Sequence, residues 1–430
     1  METHAIDDTD LKTARELARA GRTDAAERAY SKLLDTSPEH AEALNFLAQC
    51  ALRRGQAGRA LELLETCASR HPADLATLLN LGVAREANGN FEGARNAFQR
   101  VLEINPALSH ARLQLGHALE ALGRSAEALL AYHRAISDQQ RQGHWLNAAS
   151  TPAAILDRVR HAMRFVKAGR RRVFEAVLEP LIRQHGAATL RRVADCLTTM
   201  VGDRPAAFAD ARQKPSFLYF PDLPATPYFD RRLFPWIEEF EDRTGTIRTE
   251  LMEVLALTDG CERVFGNDAE ERAGLSGAGG APVWNGFYFY RNGMRREVNH
   301  RRCSGTAHAI DALPLVQIRD HAPEVLFSVL TPGTHILPHR GVTNTRVVCH
   351  LPLIVPENCA LIVGGETHHW REGRAVVFDD TFEHEAWNRG SRTRVVLIVD
   401  VWNPHLSPAE CEAVATLIEA IGDFNRASAA

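Results

Sequence analysis

At 430 residues the chain has room for two or three domains, and its 45% hydrophobic and 24% charged residues are those of an ordinary globular protein. A formal net charge of −4 gives no general electrostatic pull toward nucleic acid or anionic membrane, and ArgArgArg at Arg170 to Arg172 is expected to be a solvated helix face. Eight cysteines stand singly with no CxxC, and neither an apolar signal core nor an apolar run of ~20 residues occurs, so the expectation is a reducing cytoplasm with no disulfide framework and no membrane insertion.

The first third is periodic. Gly21, Gly55, Gly89 and Gly123 lie 34 residues apart, as do Ala26, Ala60, Ala94 and Ala128, and Pro38, Pro72 and Pro106 keep the same step. Four positions after each alanine stands a large residue: Tyr30, Leu64, Phe98 and Tyr132. Glycine suits a turn between two helices where a Cβ would clash. Alanine lets the helices approach, the large residue shares its face one turn on, and proline ends the pair. Period and residue types match the tetratricopeptide repeat, so about four units are expected from Asp8 to Gln142, within a domain of residues 1–143. Stacked units present a concave groove, which is expected to bind a peptide or protein segment.

Residues 144–212 keep a helical pattern without the period and form a helical connector. KPSFLYFPDLPATPYFDRRLFPW, from Lys214 to Trp236, is too rich in proline for a long helix, and one helix is expected after it, from Trp236 to about Leu257. GLSGAGGAP (Gly274 to Pro282) suggests a surface loop. WNGFYFYRNGMRREVN (Trp284 to Asn299) suggests a β-hairpin turning at Asn292 and Gly293.

From Phe327 to Pro404, short β-branched runs alternate with turns: Arg346 to Val355, Cys359 to Gly365, Arg374 to Asp380 and Thr393 to Trp402. That rhythm predicts antiparallel strands in a closed or double-sheet architecture. Two histidines flank the runs, His339 in THILPHRG and His384 in FDDTFEHEAW, 45 residues apart (384 − 339). Either alone reads equally as a hydrogen-bonded core residue. Held on opposite strands, and followed by Arg394 at the start of the last strand, they are the parts of a non-haem iron oxygenase that uses 2-oxoglutarate.

The runs KPSFLYFPDLP, FSVLTPGTHILPHRGVTNTR, HLPLIVP, FDDTFEHEAWN and LIVDVWNP resemble the aspartyl/asparaginyl β-hydroxylase family of 2-oxoglutarate- and Fe(II)-dependent oxygenases, some of whose members carry tetratricopeptide repeats upstream. The resemblance implies a multidomain α + β chain: a tetratricopeptide α-solenoid followed, over residues 213–430, by a double-stranded β-helix (jelly roll). It implies that His339 and His384 bind Fe(II). Gly341 stands where the wider superfamily has a carboxylate ligand, and Asp380 becomes the outer-shell carboxylate that steadies a metal-bound water. Arg394 is then the residue that grips the distal carboxylate of 2-oxoglutarate, Ser328 its hydroxyl partner, and His350 a neighbour of the chelating end. One position departs from the family: Val348 replaces an arginine, for which Arg346 or Arg340 could substitute.

The function implied is an O2-, Fe(II)- and 2-oxoglutarate-dependent hydroxylation of an Asp, Asn or other side chain in a polypeptide recruited by the repeats. The alternatives are hydroxylation of a lipid A acyl chain or small molecule, and a non-catalytic scaffold whose barrel has degenerated. On the bland reading His335 and His350 are structural, His368 and His369 lie on the surface beside Trp370, and Asp379 bonds nearby backbone amides.

Overall fold

The structure is a computed structural model that describes residues 8–257, 261–264, 274–277 and 282–429. The chain divides into two compact units, Met1–Arg170 with Phe424–Ala430, and Arg171–Asp423.

In the first unit eight helices form four antiparallel pairs: α1 (Asp8–Arg19) with α2 (Thr23–Thr36), α3 (Ala41–Arg53) with α4 (Ala57–Arg70), α5 (Leu75–Ala87) with α6 (Phe91–Ile104), and α7 (Ser109–Ala121) with α8 (Ser125–Arg141). Gly21, Gly55, Gly89 and Gly123 make the intra-pair turns at φ of 70, 73, 75 and 75°, a region open to glycine. The alanines of the periodic series are fully buried. A second small series lies on the first helix of each pair: Ala14, Ala48, Gly82 and Gly116, again 34 residues apart. A Cβ on Gly82 would sit 2.4 Å from the Phe98 ring, and one on Gly116 2.5 Å from the Tyr132 ring. Each pair thus sets a small residue on its first helix against a large one on its second. Helix α9 (Leu156–His185) begins in this unit and closes the array, with Phe165 edge-on to Tyr132 at 5.5 Å. Among the described residues no helix is long and apolar enough to cross a membrane.

The second unit is β-rich. After α10 (Arg191–Met200) the helix expected from Trp236 is two, α11 (Ile237–Asp242) and α12 (Thr244–Leu255), broken at Arg243. Glu241, just before the break, is committed elsewhere: its carboxylate takes Arg231, Arg374 and the Ala375 amide. Next come β1 (Glu262–Arg263), β2 (Leu275–Gly277), β3 (Trp284–Arg291), β4 (Met294–Arg295), α13 (Glu297–Arg302) and α14 (Ser304–Asp311). The glycine-rich run is therefore partly strand, since Leu275–Gly277 pairs with β6; residues 278–281 lie outside the described residues. Asn292 and Gly293 turn the β3–β4 hairpin with φ of 50 and 74°, but its second strand is short and the chain goes on as helix. The remaining elements are β5 (Val325–Leu330), β6 (Thr334–His339), β7 (Arg346–Ile354), β8 (Cys359–Val363), β9 (Glu366–His368), β10 (Val376–Phe378), β11 (His384–Asn388), β12 (Arg394–Trp402) and α15 (Pro408–Ala429).

They form two antiparallel sheets, β1-β3-β5-β12-β7-β10 with β4 on β3, and β2-β6-β11-β8-β9. The larger sheet has two unlike faces, because successive side chains alternate. Val325, Phe327 and Val329, Val347, Cys349, Leu351 and Leu353, and Val395, Leu397, Val399 and Val401 pack against Ile237, Phe240, Ile247 and Leu251 of α11 and α12. The intervening residues face the smaller sheet. The Arg170–Arg172 run is solvated only in part: Arg172 is exposed, Arg170 is half-buried and Arg171 pairs with Asp203.

Filling the small side of a repeat pair should be costly. Gly116→Val is expected to destabilise the first unit by about 1–3 kcal/mol, read as a lower midpoint in thermal circular dichroism. Gly58→Ala, where a Cβ meets nothing within 4 Å, should match or exceed the wild type.

Candidate active site

Between the sheets lies a cavity of about 190 Å³ lined from both sides. The larger sheet supplies alternate residues of three strands: Leu326 and Ser328 from β5 with Glu324 just before it, Arg346, Val348 and His350 from β7, and Arg394, Ile398 and Asp400 from β12. The smaller sheet supplies Ile336, His339, Leu361, His384 and Ala386.

His339 and His384 meet. They are register partners at the end of β6 and the start of β11, with ring centroids 4.1 Å apart. Alternation alone would not allow this, since Ile336 and His339 are an odd number of residues apart yet both line the cavity. The ladder resolves it: His384 opposes His339 while Ala386 opposes Ile336, so β6 carries one residue more than β11. That bulge turns His339 inward. Each ring is tied at Nδ1 to the carbonyl two residues earlier, His339 to Leu337 at 2.8 Å and His384 to Phe382 at 3.1 Å. A donor bond at Nδ1 leaves Nε2 as the nitrogen with a lone pair. Burial, reinforced by His339, pushes the His384 imidazole down to about 4, so it stays neutral.

Asp380 stands beside them. A Cβ built on Gly341 would lie 2.2 Å from the Asp380 carboxyl carbon and both its oxygens, so this carboxylate fills the space a side chain at 341 would take. Its Oδ1 is buried with no hydrogen-bond partner. Two imidazoles whose Nδ1 atoms are tied to backbone carbonyls and a carboxylate with an unused oxygen fit a divalent cation. Among the described residues no group of three or more His, Cys, Asp or Glu side chains could hold a metal; His339 and His384 are a pair that could bind one, with Asp380 beside them.

Arg394 marks one end of the cavity. It is 1% exposed, no carboxylate pairs with it among the described residues, and its Nε is unpartnered. Ser328 Oγ lies 3.4 Å from its Nη1 and accepts the Trp284 indole N–H at 2.8 Å. The guanidinium lies over the Trp370 ring, 4.9 Å from its centroid. Burial pushes this cation down to about 10. An uncompensated buried charge costs several kcal/mol, and an anion entering the cavity would relieve it. His350, buried near Phe378, is held well below the ordinary imidazole range first by burial and then by Arg394; its Nδ1 has no partner.

The other end carries the opposite sign. Arg346 bridges Asp380 and Asp400, both at 2.9 Å, and Asp400 Oδ2 accepts the Glu324 amide. Val348 lies on the same face of β7 between Arg346 and His350. Arg340 turns away to the Arg212 carbonyl and Glu383, so of the two possible substitutes only Arg346 lines the cavity. His335 is on the outer face, paired with Glu385 at 2.6 Å. Asp379, pushed up to about 6 by burial, holds Thr381 and Gln213 and shapes the turn before β11. His369 is exposed and His368 half-buried, while the neighbouring Trp370 is buried under Arg394. Trp284, Trp370, Asp400 and Glu324 went unnoticed in the sequence because only the strand register brings them to the cavity.

The aspartyl/asparaginyl β-hydroxylase family model matches residues 241–404, and tetratricopeptide repeat models match residues 11–74, 51–106 and 85–150. Aspartate β-hydroxylase domain-containing protein 2 of Xenopus tropicalis is 34% identical over 48% of this chain and 55% of its own length. The human aspartyl/asparaginyl β-hydroxylase is 24% identical over 93% of this chain and 54% of its own. The ornithine lipid ester-linked acyl 2-hydroxylase of Rhizobium tropici is 36% identical over 45% of this chain and 66% of its own. The chain spans about half the length of the first two relatives. Tetratricopeptide repeats followed by a domain of the aspartyl/asparaginyl β-hydroxylase family are what this chain consists of.

Proposed function

We propose that the β-rich unit is a 2-oxoglutarate- and Fe(II)-dependent hydroxylase, its sheets forming a double-stranded β-helix, and that it acts on a side chain of a peptide or protein recruited by the repeats. The observation that carries this reading is the buried, uncompensated Arg394 at one end of a cavity that also holds the paired His339 and His384 rings. Iron bound by His339 and His384 would, with O2, replace an unactivated C–H hydrogen by hydroxyl while 2-oxoglutarate leaves as succinate and CO2.

The chain's own groups do the positioning. The planar guanidinium of Arg394 takes one carboxylate of the co-substrate in two parallel hydrogen bonds, and Trp370 beneath it fixes the plane. Ser328, itself held by Trp284, adds a hydroxyl to the same carboxylate. His350 presents Nδ1 toward the other end of the co-substrate. Asp380, fixed through Arg346, orients water beside the histidines. The Leu326, Val348, Ile398 and Phe378 side chains keep bulk water from the centre. The repeat groove raises the local concentration of the substrate. The Rhizobium relative's name supports a second reading, hydroxylation of a lipid acyl chain, with the same metal and co-substrate chemistry.

Isothermal titration should show 2-oxoglutarate binding to the Mn(II)-loaded wild type, weakened roughly 100-fold or more in Arg394→Met. No binding to the wild type would defeat the reading and favour a scaffold. Trp370→Leu should weaken binding less, by about 3–30-fold, as expected for a lost cation–π contact. His384→Ala should lose Mn(II) affinity by at least tenfold, seen by electron paramagnetic resonance as free aqueous Mn(II). With Fe(II), O2 and a cell extract, the wild type alone should convert 2-oxoglutarate to succinate and yield a product 16 Da heavier.

A further inference from the structure

Along β12 the cavity lining runs from Arg394 to Asp400, ~20 Å of strand, and the charge changes sign on the way. At the Asp400 end three carboxylates, Glu324, Asp380 and Asp400, meet one guanidinium, Arg346, which Asp380 and Asp400 already share. A further cation, Arg291, favours ionised Glu324 but is already paired with Glu262 and lies over the Tyr288 ring, so it offsets the excess only in part. Asp380, 6% exposed and lining this end, has an Oδ1 that accepts nothing. A co-substrate held by Arg394 leaves this end, next to the histidines, for the second reactant.

We propose that Glu324 and Asp400 make this end a substrate subsite that takes a hydrogen-bond-donating group, a carboxamide or an ammonium, and turns a carboxylate away. The inference rests on the oxygenase reading of the cavity and narrows its substrate: an amide or amino side chain is preferred to an acidic one. A bare hydrocarbon fits poorly, since it would strip water from three carboxylates without replacing it. Other groups show the same strain. Burial, with Asp400 adding to it against the Asn292 amide, pushes the Glu324 carboxyl up to about 7, and burial raises Asp400 as well. A donor or cation placed here lowers that cost, and a further anion increases it.

The test uses the full chain with Mn(II) and saturating 2-oxoglutarate, and three probes of similar size: propionamide, propylammonium and propionate. Ligand-observed NMR titration should find the amide and the ammonium bound at least about tenfold more tightly than propionate, the equivalent of about 1.4 kcal/mol. In Glu324→Gln the ratio of ammonium to propionate affinity should fall at least fivefold. Equal or tighter binding of propionate, a ratio unchanged in the variant, or no binding of any probe would overturn the proposal. Titrating 2-oxoglutarate into the same samples separates the two claims. Co-substrate binding without probe discrimination sinks the subsite alone; discrimination without co-substrate binding sinks the oxygenase reading alone.

The variant's folding is checked by its melting temperature. A carboxyl raised in the folded state contributes stability below its unfolded value of ~4.3 that is lost as pH climbs toward about 7. Glu324→Gln removes that loss, so its melting temperature relative to the wild type's should be higher at pH 8 than at pH 4.

Discussion

Taking the Arg394 guanidinium out of water is costly, and the β-rich unit is arranged to make it tolerable without cancelling it. A carboxylate at any neighbouring position would satisfy the charge and leave nothing for a ligand to do. The chain supplies an indole face and a hydroxyl instead, partners that orient a cation but do not neutralise it. An anion entering the cavity would recover that cost as binding free energy.

The rest of the cavity follows from alternation. Strands β5, β7 and β12 each send one residue in two to the helices and the next to the cavity, so a single sheet serves as hydrophobic support on one face and polar site on the other. The support face is aliphatic and aromatic, dense enough to hold strands that carry buried charge on their reverse. Polar residues are segregated by sign along the strand direction, positive at the Arg394 end and negative at the Asp400 end, with the imidazoles beside Asp380. The two ends of the cavity therefore suit groups of opposite charge.

Much of this was legible in the sequence, and the parts that were not share a cause. The repeats declared themselves through side chains that recur every 34 residues, because each unit must solve the same packing problem with a small residue facing a large one. The strands and their turns were visible in runs of β-branched residues. What stayed hidden depends on register. Glu324, Arg346 and Asp400 lie far apart in the chain and become neighbours only when β5, β12 and β7 align. Trp370 follows two histidines in a short polar hairpin that gives no sign of a cavity residue, yet that hairpin folds its indole beneath Arg394. Gly341 looked like a ligand gone missing; in three dimensions its lack of a side chain is what admits Asp380.

The surplus residue in β6 has a wider meaning. Along an unbulged strand His339 would be carried to the outer surface with His335, and no change of side-chain chemistry elsewhere could return it. The site is in this sense a matter of counting: its integrity depends on how many residues lie between Ile336 and His339 as much as on which residues they are. Substitutions in that short span are survivable, whereas insertions and deletions of a single residue are not, so the segment should accept drift in composition while its length stays fixed.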